Sequence, residues 1–236
     1  MAEHDLEAIT AELLELPPEA GEDDLSPELY DLVADHEAQV QEEPDGQDNA
    51  QVTDSGAVEG EGEEERAEAI DPEHLRGSVS GLSEQHAKEA VNAAIQAAVL
   101  GLRHAPAIHY TQGGSRWEGI NAVKVAAHGQ YPSYADCSSY VSWCFWNGLT
   151  QRGVAHSDLV NGLAWRAGYT GTMLRHGAVV GAPVPGDAII YGAGWPGGHT
   201  ALYTGGGLVV SHGSEGGPYL LPWRYRSDVL SIRRYI

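Results

Sequence analysis

The stretch YADCSSYVSWCFWNG at residues 134–148 organises the rest of this 236-residue chain. Pro132 breaks regular structure before it, and Gly148 is expected to break it at the far end. Between these two positions the apolar side chains recur at helical spacing, at Tyr140, Val141, Cys144 and Phe145. The stretch therefore predicts a short, buried helix.

Cys137 falls in the first turn of that helix, with Asp136 as the expected cap. A thiol at this position feels the positive end of the helix dipole and nearby backbone N–H groups, and both favour the nucleophilic thiolate. The same N–H groups can bind the oxyanion that forms after attack on a carbonyl. The alternative is a small buried hydrophobe, an interpretation that suits Cys144 well. The two cysteines lie about two helical turns apart, roughly 10 Å, so no disulfide is expected between them.

The charged residues divide the chain into two regions. Residues 1–76 hold 26 of the 34 acidic residues and only two basic ones, whereas residues 77–236 hold 8 acidic and 11 basic ones. All six tryptophans lie in the second region. We expect one catalytic domain at 77–236, preceded by a mostly disordered acidic region at 1–76 that repels the phosphates of nucleic acids.

The acidic region contains two amphipathic patterns, at residues 4–16 and 27–41, followed by an almost purely polar segment at 42–75. A proline pair ends the first pattern and Ser26-Pro27 opens the second, so each predicts a short helix. The polar segment is typical of a disordered linker. Two interpretations stay open: the region is a solvating acidic tail, or its two helices dock on a protein partner.

The second region should begin with helices and end with a sheet. An amphipathic helix is expected from Ser83 to Leu102, and a shorter one around 158–166. From Pro183 onward, apolar segments alternate with glycine turns, which predicts antiparallel strands. These strands are expected at 187–191, 200–204, 208–212, 219–221 and 229–235. The order of elements predicts an α+β fold, with the helix of Cys137 packed on a sheet of five or so strands.

A cysteine nucleophile needs a base, and the base needs a group that orients it. His199 starts one predicted strand and His212 ends the next, with a glycine turn at 205–207 between them. Antiparallel pairing brings these two ends together, so His199 is the candidate base and His212 the candidate orienting residue. The chain has 11 histidines, and either one alone could be an ordinary surface or core residue. No metal-site spacing occurs among them, and no cofactor is expected.

Five motifs, in order, resemble the NlpC/P60 family of cysteine peptidases. DCSSYV at 136–141 resembles the family's D-C-S-G-L-V segment, PGDAIIY at 185–191 its P-G-D-L-V-F strand, and HTALY at 199–203 its H-V-G-I-Y strand. VVSH at 209–212 resembles its closing I-H-A segment, and Tyr110 with Gly113-Gly114 its entrance loop.

This resemblance implies a papain-like fold with a catalytic triad of Cys137, His199 and His212. It also implies that Asp136 and Ser138 support the nucleophile turn and that Tyr110 lies near the thiol. Members of the family cleave amide bonds in bacterial cell-wall peptides, often the D-Glu–diaminopimelate link. The loop around Tyr110 and the Trp-Cys-Phe-Trp helix look most like the lysins encoded by phages of actinobacteria.

The resemblance therefore predicts a hydrolase of the thiol protease class, a bacteriophage endolysin that degrades the cell wall through an acyl-enzyme. Alternatives on the same fold are an N-acetylmuramoyl-L-alanine amidase, a deamidase, an acyltransferase, or a structural component of the virion. The expected partners are bacterial peptidoglycan and, for the acidic region, other virion proteins. Nucleic acid and membrane insertion are not expected. The first residues lack a basic, apolar leader, so no signal peptide is expected. The protein would reach the wall from the host cytoplasm by holin-type release, or within the virion.

Three further residues are candidates for the substrate groove: Arg116, Trp117 and Trp195. A basic side chain suits the carboxylates of wall peptides. Core packing is the alternative for both tryptophans. Gln112 stands where the family has tryptophan, and the segment 147–181 is long, so the groove is expected to differ from that of the family.

Overall fold

The computed structural model describes residues 6–16, 24–27, 29–34, 81–120, 124–150, 158–162, 164–192, 198–213 and 216–236. Its α-helices are α1 (Leu6–Glu15), α2 (Glu84–Arg103), α3 (Cys137–Thr150) and α4 (Thr170–Met173). Its strands are β1 (His109–Tyr110), β2 (Tyr134–Ala135), β3 (Ala178–Val179), β4 (Ala188–Tyr191), β5 (His199–Gly205), β6 (Leu208–Gly213), β7 (Gly216–Pro222) and β8 (Val229–Arg234). Residues 29–34 are also helical. The predicted linker at 42–75 lies outside the described residues.

Six strands form one antiparallel sheet in the order β3-β8-β4-β5-β6-β7. All five predicted strands are present with small differences at their ends, and the expected α+β class is confirmed. The sequence did not predict β3, because two residues carry no alternating pattern. β1 and β2 form a separate parallel pair, in which Tyr110 lies opposite Ala135.

Helix α2 follows its predicted course. Ser83 caps it by accepting a hydrogen bond from the backbone N–H of His86 at 3.3 Å. Its apolar face is buried and packs on α3, where the Tyr140 hydroxyl donates to the carbonyl of Ala98 at 2.9 Å.

No helix in the described part of the chain is long and apolar enough to cross a bilayer.

Helix α3 runs past the glycine that was expected to end it. Gly148 lies inside the helix, where α3 crosses α2. A Cβ atom at this position would come within 2.3 Å of the carbonyl oxygen of Ala90. The expected helix end was therefore wrong, because this glycine permits a close helix crossing rather than a turn.

The helix predicted around 158–166 is not present among the described residues of that segment, which form turns. The carboxylate of Asp158 accepts hydrogen bonds from the backbone N–H groups of Val160 at 2.9 Å and Asn161 at 3.0 Å. A side chain that takes local amide protons in this way competes with a helix and favours a turn.

The two N-terminal helices pack on the core of the second region. Leu13, Leu29 and Val33 are fully buried in the same apolar cluster as α2 and α3. Glu12 joins the two helices, since its carboxylate accepts hydrogen bonds from the backbone N–H and the hydroxyl of Ser26 at 2.9 and 3.0 Å. For these described residues, the solvating-tail interpretation is wrong. The division of the chain at residue 76 remains a prediction.

Candidate active site

Cys137 is the first residue of α3, as predicted, and Asp136 caps the helix. The backbone N–H of Ser139 donates to the Asp136 carboxylate at 2.7 Å, and the backbone N–H of Asp136 donates to the Ser139 hydroxyl at 2.8 Å. These two reciprocal bonds form a capping box. Ser138, which was expected to support this turn, donates its hydroxyl to the Asp136 carboxylate at 3.1 Å.

The sulfur of Cys137 lies between two other segments of the chain. Its Sγ atom is 3.9 Å from the hydroxyl of Thr170, the first residue of α4. The backbone of Thr200 in β5 also acts on the sulfur and lowers the pKa of the thiol. The nucleophile turn is thereby placed at the start of β5, directly beside the residue that follows His199.

The thiol is protonated in this arrangement. Burial, together with the negative charge of Asp136, raises the pKa of Cys137 to about 12, although Thr200, Thr170 and Ser138 act in the opposite direction. The expectation of a thiolate stabilised by the helix N-terminus is therefore wrong for this state. The physical reason is that desolvation of a charged sulfur outweighs a few backbone dipoles.

His199 stands at the start of β5 and is buried. Its Nε2 atom and the hydroxyl oxygen of Ser211 lie 2.7 Å apart and share a hydrogen bond. The Ser211 hydroxyl in turn shares a hydrogen bond of 3.1 Å with the hydroxyl of Tyr225. Burial, followed by the charge of Arg226, lowers the pKa of His199 to about 3, so the imidazole is neutral. A neutral ring can accept a proton.

His212 does not orient His199, contrary to the prediction. Its ring packs on the rings of Tyr110 and Tyr140, with centroids 5.7 Å away in each case, and its Nδ1 lies 3.2 Å from the carbonyl oxygen of Gly216. Its Nε2 has no hydrogen-bond partner among the described residues. Burial lowers the pKa of His212 to about 4.

Side-chain alternation explains why the side chains of His199 and His212 lie on opposite faces of the sheet. Ala201 pairs with Ser211 across the β5–β6 hairpin. Side chains two residues apart on a strand share a face, so His199 lies on the face of Ala201 and diagonally across from Ser211. His212 points to the opposite face, toward α3. The predicted hairpin brought the correct strand ends together, but the neighbour of His199 on its own face is Ser211.

The helix that begins at Cys137 packs on β5, the strand that begins at His199. Cys137 and His199 are both described, and no hydrogen bond joins them. With Nε2 engaged by Ser211, the ring nitrogen of His199 that remains is Nδ1. Both groups are neutral, because burial disfavours the charged form of each.

The remaining predicted residues have mixed outcomes. Tyr110 lies in β1 and pairs with Ala135 of β2, which is two residues before Cys137 in the chain. The hydroxyl of Tyr110 accepts a hydrogen bond from the Gln112 side chain at 3.1 Å. Trp117 is buried in the main core, so its assignment to a groove is wrong. Trp195 lies outside the described residues.

Arg116 is not available to a substrate either. Its guanidinium forms an ion pair with Asp136 and donates to the backbone carbonyl of Gly168 at 2.9 Å. A basic residue was expected in the groove because its charge suits carboxylates, but the carboxylate that it meets is the chain's own helix cap. That partner is 20 residues away in sequence, so no local pattern indicated it.

Sequence comparison finds no family model and no curated protein that matches this chain. Within the described residues, no group of three or more His, Cys, Asp or Glu side chains could hold a metal ion. The assignment of the site therefore depends on its geometry: a buried thiol at a helix start, a neutral imidazole at the start of the adjoining strand, and a hydroxyl pair behind that imidazole.

Proposed function

We propose that this chain is a cysteine hydrolase that cleaves amide bonds through an acyl-enzyme on Cys137. The observation that carries the proposal is the position of the sulfur, at the first residue of a helix that packs on β5, the strand that begins with His199. A nucleophile, a base and a group that orients the base then come from α3, β5 and β6.

The reaction follows from these positions. His199 takes the thiol proton on Nδ1 as the sulfur attacks the amide carbonyl, and its Nε2–H donates to Ser211 throughout. The developing oxyanion is stabilised by backbone N–H groups of the first turn of α3. The C–N bond then breaks, and the imidazolium gives its proton to the leaving amine. Water, deprotonated by the same ring, hydrolyses the thioester and restores the thiol.

The proposed substrate is the stem peptide of bacterial peptidoglycan, with the D-Glu–diaminopimelate link as the first candidate bond. The support is the ordered series of motifs at 136–141, 185–191, 199–203 and 209–212, which resembles cell-wall peptidases of the NlpC/P60 family. The same resemblance supports a papain-like fold and an origin in a phage of actinobacteria.

The test is hydrolysis of purified peptidoglycan by the full chain and by Cys137→Ala. The variant should lose at least about a thousandfold in rate, because alanine removes the sulfur on which the acyl-enzyme is proposed to form. His199→Ala should lose nearly as much. Cys144→Ala, which changes a fully buried thiol two turns along the same helix, is the matched control and should remain active.

Mass spectrometry of the muropeptides identifies the bond. A new amine on diaminopimelate indicates an endopeptidase, and a new amine on L-alanine indicates an N-acetylmuramoyl-L-alanine amidase. Loss of an amide nitrogen without chain cleavage indicates a deamidase. Wall lysis by a folded Cys137→Ala protein would refute the proposal.

A further inference from the structure

Arg116 joins three segments around the nucleophile. One guanidinium nitrogen contacts the carboxylate of Asp136 and, at 3.4 Å, the hydroxyl of Ser138. The other donates to the carbonyl of Gly168 at 2.9 Å, two residues before the Thr170 hydroxyl that meets the sulfur. The guanidinium carbon also lies 4.6 Å from the centre of the Trp117 ring, so the group is held from a fourth side.

Arg116 binds the carboxylate of Asp136, and the charge of this carboxylate acts on the Cys137 sulfur. Asp136 immediately precedes Cys137 and caps its helix, and its negative charge acts against ionisation of the thiol. A carboxylate cap is favourable for α3, but beside a nucleophilic sulfur it disfavours the thiolate. A guanidinium bound to that carboxylate opposes its field at the sulfur.

We propose that Arg116 is a positioning residue for Cys137, which acts by opposing the charge of the Asp136 cap, so that the helix keeps its carboxylate at a smaller cost to the reactivity of the sulfur. This inference relies on the proposed function only for the role of Cys137 as the nucleophile. Its test needs no cell-wall substrate, so its failure and the failure of the proposed function can be told apart.

The other titratable and charged groups described here are either uncharged or paired with an opposite charge. His199 from β5 and His212 from β6 both have pKa values lowered well below neutrality and are uncharged above pH 7. Arg226, whose charge acts on His199, is paired with Asp228 at 2.7 Å. Among the described groups, the Arg116–Asp136 pair therefore sets the charge beside Cys137.

The experiment measures the rate at which iodoacetamide alkylates Cys137 between pH 7 and 10, with peptide mass spectrometry to separate Cys137 from Cys144. Below its pKa, a thiol loses about tenfold in thiolate fraction for each unit by which the pKa rises. Arg116→Gln should slow alkylation by roughly three- to tenfold at every pH, because the Asp136 charge is then unopposed.

A second substitution separates charge from packing. Asp136→Asn keeps an oxygen that can accept the Ser139 N–H, so the helix cap survives without its charge. The double variant Arg116→Gln/Asp136→Asn should recover most of the lost rate, and Asp136→Asn alone should react faster than the wild type. Arg175→Gln is the matched control, because Arg175 contacts Gly171 and Tyr169 rather than Asp136, and its rate should not change.

Two results would overturn the inference: an Arg116→Gln rate equal to or above that of the wild type, or a double variant as slow as Arg116→Gln. The second result is the one expected if Arg116 only packs the loop. Circular dichroism confirms that each variant is folded. If Arg116→Gln does not fold, Asp136→Asn alone decides the question, and a rate equal to or below that of the wild type would refute the role of charge.

Discussion

The base of the proposed reaction is held by a chain of two hydroxyl groups. His199 binds the Ser211 hydroxyl, which binds the Tyr225 hydroxyl. For Nδ1 to accept a proton, Nε2 must carry its hydrogen and donate it to Ser211, whose own proton then points to Tyr225. The hydroxyl pair can therefore accept the Nε2–H of the tautomer that the proposed reaction requires.

Removal of this hydroxyl should reduce turnover without abolishing it. We expect Ser211→Ala to lower kcat by roughly tenfold, equivalent to the loss of one hydrogen bond of about 1.4 kcal/mol. Tyr225→Phe should have a smaller effect because the Ser211 hydroxyl remains. The measurement is kcat against pH with purified peptidoglycan. Ser231→Ala, on β8 of the same sheet, is the control, and full activity of Ser211→Ala would contradict the assignment.

At the scale of elements, the position of the nucleophile depends on how closely α3 crosses α2. Gly148 brings the backbone of α3 against the carbonyl of Ala90, and Gly101 on α2 leaves room for the Tyr140 ring. These contacts fix the helix whose first residue carries the thiol. A glycine that looks like a helix end in the sequence therefore serves as a site of close packing, because the residue that it meets, Ala90, lies 58 residues earlier in the chain (148 − 90).

The crossing can be tested with Gly148→Ala. Alanine within a helix normally stabilises it by about 0.5–1 kcal/mol relative to glycine. Here the added methyl group collides with backbone, and we expect a loss of about 1–3 kcal/mol in the free energy of unfolding. Urea denaturation measures the difference. Gly114→Ala is the control, since a Cβ there meets no atom within 4 Å. Equal or greater stability of Gly148→Ala would contradict the close crossing.

At the scale of the whole molecule, a segment near the N-terminus completes the core. Leu13 of α1 is fully buried, and its carbonyl oxygen lies where a Cβ on Gly205 would be, within 1.8 Å. Gly205 also adopts a φ of 117°, a conformation that favours glycine. The turn between β5 and β6 is therefore shaped to receive α1, so the acidic region contributes to the same core as the candidate site.

Truncation of this contact should destabilise the full chain. We expect Leu13→Ala to cost about 2–5 kcal/mol, the usual range for a buried leucine. Glu15→Ala, on the exposed side of the same helix, should change the free energy of unfolding by less than about 0.5 kcal/mol. Chemical denaturation followed by tryptophan fluorescence compares the two, because all six tryptophans lie in residues 77–236. Equal stability of the two variants would show that α1 does not contribute to the core.

Sequence patterns predicted most of the local structure. Of the candidate site, they predicted the positions of Cys137 and His199 but not the contact between His199 and Ser211. The start of α3 at Cys137, with its Asp136 cap, depends on residues within one helical turn, and the five predicted strands depend on short alternating segments. His199 was identified because it opens one of those strands. Counting side-chain faces across the 205–207 turn would also have indicated Ser211 rather than His212, since residues two apart share a face.

The amino-acid sequence by itself determined where the helix of Cys137 begins and where five of the six strands of the main sheet lie, because those choices are made by neighbouring residues. Only the tertiary structure decided which face of the sheet each histidine occupies, that Arg116 binds Asp136 instead of a ligand, and that Trp117 is buried. It also decided that the Cys137 thiol is neutral. Strand register, ion pairing and desolvation depend on segments far apart in the chain, and no local pattern encodes them.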